Sequence, residues 1–264
     1  MDSYKYKFSN KKERDFFRKL NSSVHDYFKT NNIDKYGNTN MVFKSIFMFT
    51  LYFAPLILLL TGVITNILPF FAMWILMGLG KAGIGMGVMH DANHGSYSKN
   101  PKVNKMLSYT MNLIGANSKI WNIQHNILHH TYTNIYGADE DIIAPFLLRF
   151  SPYPKKLFIH RFQHLYVWFM YSLTTINWVT SRNFQQAFKF HKMGIIKSKK
   201  ELIKDLFSIM MWKVIYFGYI LVLPIILTDF SPLLIIAGFV SMHLVTGLIL
   251  STIFQTAHVM PTTE

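Results

Sequence analysis

Four long apolar runs constrain what this chain can fold into. They cover residues 42–62, 67–89, 206–227 and 233–254, and each contains at most one charged residue in its interior. A helix needs roughly 20 mostly apolar residues to cross a bilayer. Short connections join the first run to the second and the third to the fourth. The pattern therefore predicts an all-α integral membrane protein whose four transmembrane helices form two hairpins.

The placement of the basic residues predicts the orientation of these helices. Ten of the 27 Lys and Arg residues precede Met48, fifteen lie between His90 and Leu206, and the connections at 63–66 and 228–232 contain none. Positive residues stay on the cytoplasmic side of membrane proteins. Both termini and the middle of the chain are therefore predicted to be cytoplasmic. The net charge of +14 then reflects topology, and nucleic acid is excluded as a partner.

The first 40 residues are predicted to form a cytoplasmic arm, followed by one membrane domain over residues 41–264. Between Arg14 and Phe28 the apolar residues recur every three or four positions, which is typical of an amphipathic helix. Such a helix could anchor the arm at the membrane surface or pack against the protein, and the pattern favours neither.

A fifth apolar stretch, residues 165–179, is shorter than the roughly 20 residues that a membrane-crossing helix needs. Counting it as one would place His258 on the opposite side of the membrane from His90. We therefore predict an interfacial or buried helix there. Lys81, close to the cytoplasmic end of the second run, is expected to extend its amine to the membrane surface.

Two short blocks of histidine indicate the chemistry. His90 and His94 form the first block, and His125, His129 and His130 form the second. Residues four apart share one face of an α-helix, so each block presents a convergent pair. His130 would point roughly 100° away from His129 and reach a different ion. Neutral imidazole suits zinc, copper, iron and nickel, so the blocks predict a two-metal cage on a cytoplasmic helical cap.

Other polar residues have weaker signals. His160 and His164 are four apart and could bind metal, although a structural role is favoured. Asp91 and the acidic residues 139–141 are expected to orient ligand imidazoles, as carboxylates around metal sites do. His243 lies inside the fourth run, where a functional role and a hydrogen bond to a neighbouring helix are equally compatible with the sequence.

The two blocks also carry a family resemblance. His90-Asp91-Ala92-Asn93-His94-Gly95-Ser96-Tyr97-Ser98 and His125-Asn126-Ile127-Leu128-His129-His130-Thr131-Tyr132-Thr133-Asn134 resemble the first two histidine boxes of membrane fatty acid desaturases. Residues 137–141 and 160–166 are similar to the same family, especially its bacterial acyl-CoA and cytochrome-b5-type branch. The resemblance extends over about residues 83–258.

This resemblance implies an activity and a cofactor. It implies a di-iron centre that uses O2 and two electrons to introduce a double bond into a fatty acyl chain linked to CoA or to a lipid. Because the arm is too short for a fused cytochrome b5 domain, the electrons are expected from a separate ferredoxin or cytochrome b5-type protein. No catalytic residue is expected beyond the metal ligands. The implied iron ligands are His90, His94, His125, His129, His130 and His258.

The resemblance has one departure. The family has a third box, His-x-x-His-His or Gln-x-x-His-His, after its last span, and this sequence reaches Glu264 without one. The expectation is therefore a truncated form with an incomplete, inactive cage. Alternatives that remain open are a membrane di-iron lipid hydroxylase or carotenoid oxygenase, and a non-catalytic metal-binding remnant. A metal transporter is disfavoured because transport sites lie near mid-membrane.

Overall fold

The computed structural model describes residues 11–142 and 146–258, without the side chains of residues 11–13 and 258. All regular elements in this part of the chain are helical. The α-helices are α1 (Lys11–Thr30), α2 (Thr39–Leu60), α3 (Ile67–Gly83), α4 (His90–Asn93), α5 (Pro101–Ser108), α6 (Thr110–Leu113), α7 (Ser118–Asn122), α8 (Gln163–Asn177), α9 (Asn183–Lys192), α10 (Lys199–Phe217), α11 (Leu223–Leu227) and α12 (Pro232–His258). The π-helical segments are π1 (Ile84–Met89), π2 (Ile123–His129), π3 (Trp178–Arg182) and π4 (Gly218–Val222), and Phe158–Phe162 is a 3-10 turn.

The four predicted membrane helices are confirmed within the described residues. Continuous helices at Thr39–Leu60, Ile67–Asn93, Lys199–Leu227 and Pro232–Ala257 are long and apolar enough to cross a bilayer. We call them spans 1 to 4. Side-chain N-caps explain where spans 1 and 3 begin. Asn38 accepts a hydrogen bond from the Met41 amide at 3.1 Å, and Ser198 accepts one from the Glu201 amide at 3.1 Å.

Close approach of backbones holds the spans together. Span 2 packs along both span 1 and span 4. A Cβ on Gly78 would lie 2.7 Å from the Met242 carbonyl oxygen, and one on Gly80 would lie 2.6 Å from the Tyr52 nitrogen, so only glycine fits at either position. The small-xxx-small spacing of Gly83 and Gly87 predicts the same role for this pair. Gly83 does lie against Met48 of span 1, whereas a Cβ on Gly87 would meet no other element of the described structure within 4 Å.

The short apolar stretch that we predicted not to span forms α8. It has 15 residues and does not qualify as a membrane span. It packs along α12, where the Ser251 hydroxyl donates to the Tyr171 carbonyl at 3.2 Å. One face of this helix therefore packs on span 4, whereas Leu165, Trp168 and Phe169 are 67%, 54% and 62% exposed. The prediction that the stretch does not span the membrane is confirmed, and of the two predicted settings the exposed apolar side chains favour the interfacial one.

The position of the Lys81 side chain contradicts our prediction. Its side chain is only 3% exposed and does not extend to the surface. The amine instead donates to the Tyr216 hydroxyl of span 3 at 2.7 Å and lies 3.3 Å from Nε2 of His243 of span 4. Polar partners from spans 3 and 4 bind the amine inside the bundle, and the prediction had taken no account of them.

Candidate metal centre

The two histidine blocks meet at one end of the bundle. The first block begins directly after π1, in the last turn of span 2. The second block lies on π2, in the cap between spans 2 and 3. Asn93 joins the two: its carboxamide oxygen accepts from the Ser118 hydroxyl at 2.8 Å, and its carbonyl accepts from the Asn126 side chain at 2.9 Å. These hydrogen bonds fix the distance between segments that are about 30 residues apart in sequence.

The second block has a different helical geometry from the one that the spacing assumed. The His130 amide donates to the His125 carbonyl at 3.0 Å, an i to i+5 hydrogen bond. The wider π-helical turn brings residues five apart onto nearly the same face. The His130 ring consequently lies 4.7 Å from that of His125 and 4.9 Å from that of His94. The prediction that His130 reaches a different ion from His129 assumed α-helical spacing and stays a prediction, although the position of His130 beside His94 is compatible with it.

All five imidazoles therefore form one cluster. Ring centroids are 4.5 Å apart for His90 and His94, 5.2 Å for His94 and His125, and 5.1 Å for His125 and His129. Ligand atoms of His90, His94 and His125 lie within 4.8 Å of one another, and so do those of His125, His129 and Asp141. Two overlapping groups that share His125 have room for two neighbouring ions.

Carboxylates hold three of the rings through Nδ1. Asp91 contacts His90 at 3.2 Å, Asp141 contacts His125 at 2.9 Å, and Asp139 contacts His129 at 3.0 Å through each oxygen. Such contacts fix the tautomer and direct Nε2 toward a metal. The expectation that these aspartates orient imidazoles is confirmed by the contacts, whereas metal ligation by the rings stays a prediction. The two oxygens of Asp141 bond Gln124 and His125, but each keeps a further lone pair, so Asp141 could also bind metal.

Glu140 departs from this pattern. Its carboxylate is 4% exposed and pairs with Lys189, and with Arg182 at 3.5 Å, instead of with a histidine. It thereby ties the acidic loop to π3 and α9. The loop is also held by Asp139, which is fully buried and accepts from the amides of Asn134 at 2.8 Å and Asp141 at 2.9 Å.

The electrostatics of the cluster keep most rings neutral. Burial, together with the neighbouring imidazoles, lowers the pKa of His94 to about 4, and burial also lowers the pKa values of His125 and His130. Burial opposes protonation of His129 too, but its hydrogen bond to Asp139 and the nearby Asp141 outweigh this and raise its pKa. Neutral imidazole is the form that binds metal.

Some residues of the centre were not identified in the sequence. The Trp121 ring stacks on His125 with a centroid distance of 4.4 Å and an angle of 24°. Gln124 donates to Asp141 at 2.5 Å and accepts from Gln186 of α9. Trp121 precedes the second block by one helical turn, which was an available signal, whereas nothing in the sequence pointed to Gln186.

Neither His160 nor His164 joins the cluster. His160 closes the 3-10 turn, where Nδ1 accepts from the Leu157 amide at 3.1 Å and Nε2 contacts the Phe146 carbonyl at 2.9 Å. His164 is exposed at the start of α8. The structural role that we favoured for His160 is thus confirmed. His258 is the last residue of α12, and its side chain lies outside the described part of the structure.

His243 belongs to a second cluster inside the bundle, which we call the interior cluster: Lys81, Tyr216, His243 and Thr175. Tyr216 bonds Nε2 of His243 at 2.8 Å, and Nδ1 of His243 lies 3.0 Å from the Thr175 hydroxyl. Thr175 in turn donates to the His243 carbonyl at 2.9 Å. These contacts connect spans 2, 3 and 4 with α8.

A cavity of about 250 Å³ extends from the metal centre between α8 and α12. At the centre it is lined by Trp121, His125 and Asp141. Away from the centre the wall is mixed. It contains the apolar side chains of Leu148, Phe150, Met170, Leu173, Leu250 and Phe254 and the polar side chains of Glu140, Asn177, Arg182, Ser251 and Gln255. An extended apolar chain placed here would have one of its segments beside the histidines.

Comparisons with known proteins agree on one family. The profile described as fatty acid desaturase matches residues 65–263. Over 255 residues the chain is 33% identical to an sn-1 linoleoyl-lipid 6-desaturase of Synechocystis sp., covering 96% of this chain and 69% of that protein. It is 30% identical to the enzyme of the same name from Arthrospira platensis, covering 94% of this chain and 67% of that protein.

A further relative is the acyl-lipid (8-3)-desaturase of Physcomitrium patens. It is 30% identical over 258 residues, which are 96% of this chain and 53% of that protein. The chain thus spans about half to two thirds of the length of these relatives. No solved structure is significantly similar to it.

Proposed function

The chain belongs to the fatty acid desaturase family, and we propose that its histidine blocks provide the first two histidine boxes of a di-iron centre at which a lipid-linked fatty acyl chain is desaturated. The proposal of a lipid-linked substrate is supported by the three relatives above, which are named for linoleoyl-lipid or acyl-lipid substrates. In the overall reaction, two adjacent methylenes, O2, two electrons and two protons give a cis- or trans-disubstituted double bond and two waters.

The donor set fits iron. Imidazole nitrogen is a suitable ligand for it, and the chain contains no cysteine that would favour a thiolate site. Iron with open coordination positions would supply the activation of O2. We propose as its ligands His90, His94, His125, His129 and His130, together with His258 at the end of α12. Asp91, Asp139 and Asp141 keep three of these rings turned toward the metals.

The cavity between α8 and α12 is the observation that carries the proposal. Apolar side chains form one part of its wall and His125 another, so a methylene of a bound acyl chain would lie close to the metals. The apolar part of the wall would keep water from the reacting carbons, which protects an oxidising centre from side reactions. Trp121, stacked on His125, forms part of the wall nearest the centre.

We further propose that the histidine blocks face the cytoplasm. The distribution of Lys and Arg supports this orientation, because the outer connections contain none. The electrons would then come from a separate cytoplasmic redox protein of the ferredoxin or cytochrome b5 type.

Product analysis tests the proposal. The protein is produced in a host that lacks polyunsaturated lipids, is supplied with candidate electron donors, and is fed a deuterium-labelled fatty acid. Mass spectrometry should show the loss of two hydrogens from adjacent carbons, and the labelled product should appear in phospholipid or glycolipid before the CoA pool. A gain of one oxygen would instead identify a hydroxylase. Product appearing first on CoA would rule out the lipid-linked substrate, and active protein that contains zinc but no iron would rule out the di-iron centre.

A further inference from the structure

Helix α1 has an apolar face that the described protein leaves uncovered. At 100° per residue, Phe16, Phe17, Leu20, Val24, Tyr27 and Phe28 fall within about 120° of the helix circumference. Phe16 is 68% exposed, Phe17 63%, Leu20 48%, Val24 48% and Tyr27 59%. Sequence alone left open whether this face packs on the protein, and its exposure disfavours that alternative.

The connector after α1 holds the helix at the membrane boundary. Residues 31–38 join α1 to span 1, and they are fixed to the loop that follows the first histidine block. Asp34 pairs with Lys99 at 2.6 Å, and the Gly37 amide donates to the Tyr97 carbonyl at 3.2 Å. The Tyr97 hydroxyl also bonds Ser45 of span 1 at 2.7 Å. These contacts hold the end of α1 close to the start of span 1 and to the loop that follows the first histidine block.

The charges of α1 match a lipid surface. Within Lys11–Thr30 there are six basic residues and three acidic ones. At 100° per residue, Arg14 and Lys19 fall at the two borders of the apolar face. An amphipathic helix with an aromatic and aliphatic face and basic borders binds in the plane of a membrane, where the cations meet anionic headgroups.

We propose that α1 lies in the headgroup layer on the side of the membrane where the histidine blocks are, with its apolar face toward the acyl chains and anionic phospholipid as its ligand. The helix then fixes the loop after the first block against the membrane surface through Asp34 and Lys99. This inference concerns the arm and does not depend on the reaction proposed above.

The absence of cysteine makes a direct test possible. Leu20→Cys places one thiol in the middle of the apolar face, and Ser22→Cys places one on the opposite face as a matched control. Each variant of the full chain is labelled with an environment-sensitive fluorophore and reconstituted in nanodiscs of phosphatidylcholine, with or without phosphatidylglycerol. Quenching is measured with acrylamide in water and with a doxyl group carried on the lipid.

We expect the label at position 20 to be blue-shifted, quenched by the doxyl lipid and several-fold less accessible to acrylamide than the label at 22, with the contrast increasing when phosphatidylglycerol is present. Equal acrylamide quenching at both positions would overturn the proposal. Protection at 20 without quenching by the doxyl lipid would also overturn it, because the face would then be covered by protein, such as a second copy of the chain. A contrast unaffected by phosphatidylglycerol would overturn the assignment of anionic lipid as the ligand.

Discussion

The metal centre and the interior cluster both contain buried histidine, but the partners of the rings differ. In the centre, carboxylates contact Nδ1 of His90, His125 and His129, and the centroids of neighbouring rings lie about 5 Å apart. In the interior cluster no carboxylate contacts His243 among the described residues; its ring nitrogens have neutral partners, Tyr216 at Nε2 and Thr175 at Nδ1. Because both nitrogens of His243 are engaged, it has none left for a metal, which indicates a structural role for this residue.

The backbone conformation at the histidines also differs between the two clusters. The second histidine block lies on π2 and the first directly follows π1, whereas His243 lies within the long α-helix α12. A π-helical turn forfeits regular α-helical hydrogen bonding and is frequently found at functional sites. Here the departure has a visible result, since it turns His130 toward His94 and His125. The four members of the interior cluster lie on α-helical turns of four different helices, although π3 and π4 begin shortly after Thr175 and Tyr216.

The largest effect is expected from removing a ligand. His129→Ala should abolish desaturation and reduce the bound iron of the purified protein by at least half, because the ring lies between His125 and His130 in the cluster. Iron content is measured per chain by elemental analysis, and folding is monitored by circular dichroism. His164→Ala is the matched control, since His164 is exposed and outside the cluster. Full iron content in His129→Ala would remove this residue from the centre.

A smaller effect should follow from loss of a carboxylate. Asp139→Asn should weaken metal binding about 10- to 100-fold at neutral pH, because the ring of His129 is held less firmly. The contact with Asp139 raises the pKa of His129, and the protonated ring cannot bind metal. Affinity should therefore begin to fall at a lower pH in the variant than in the unmodified protein.

Chelator competition across a pH series measures this shift. The inflection of affinity at the highest pH belongs to His129, whose pKa is raised, whereas those of His94, His125 and His130 are lowered. An inflection that stays at the same pH in Asp139→Asn would show that the carboxylate does not act on this ring.

Substitutions in the interior cluster are expected to have the smallest effect on metal content, but they should lower the stability of the folded protein. Tyr216→Phe removes the hydroxyl that joins Lys81 to His243 and should lower the free energy of unfolding by about 1–3 kcal/mol. The iron content should not change. Thermal unfolding in nanodiscs measures the first quantity, with Tyr109→Phe, an exposed tyrosine, as control. Loss of iron at unchanged stability would show that the two clusters are not separate in function.

Much of this arrangement could be predicted from sequence. Hydropathy and charge placement predicted the four spans and the non-spanning α8, because bilayer thickness imposes a length on any helix that crosses it. The histidine spacing predicted the two blocks, but it assumed a regular α-helix, whereas the second block lies on π2. The prediction for Lys81 failed because it assumed a membrane end open to water, whereas Tyr216 of span 3 binds the amine inside the bundle. Neither the π-helical turn nor the buried Tyr216 has a local sequence signal.

The sequence by itself determined that the chain enters the membrane, which residue types could hold metal, and which family it resembles. These are consequences of composition and short-range spacing, which do not depend on how the helices pack. Only the tertiary structure decided which histidines share a centre and which is structural. That choice depends on partners far apart in sequence, such as Asn126 on Asn93 and Tyr216 on His243, which come together only when the helices pack.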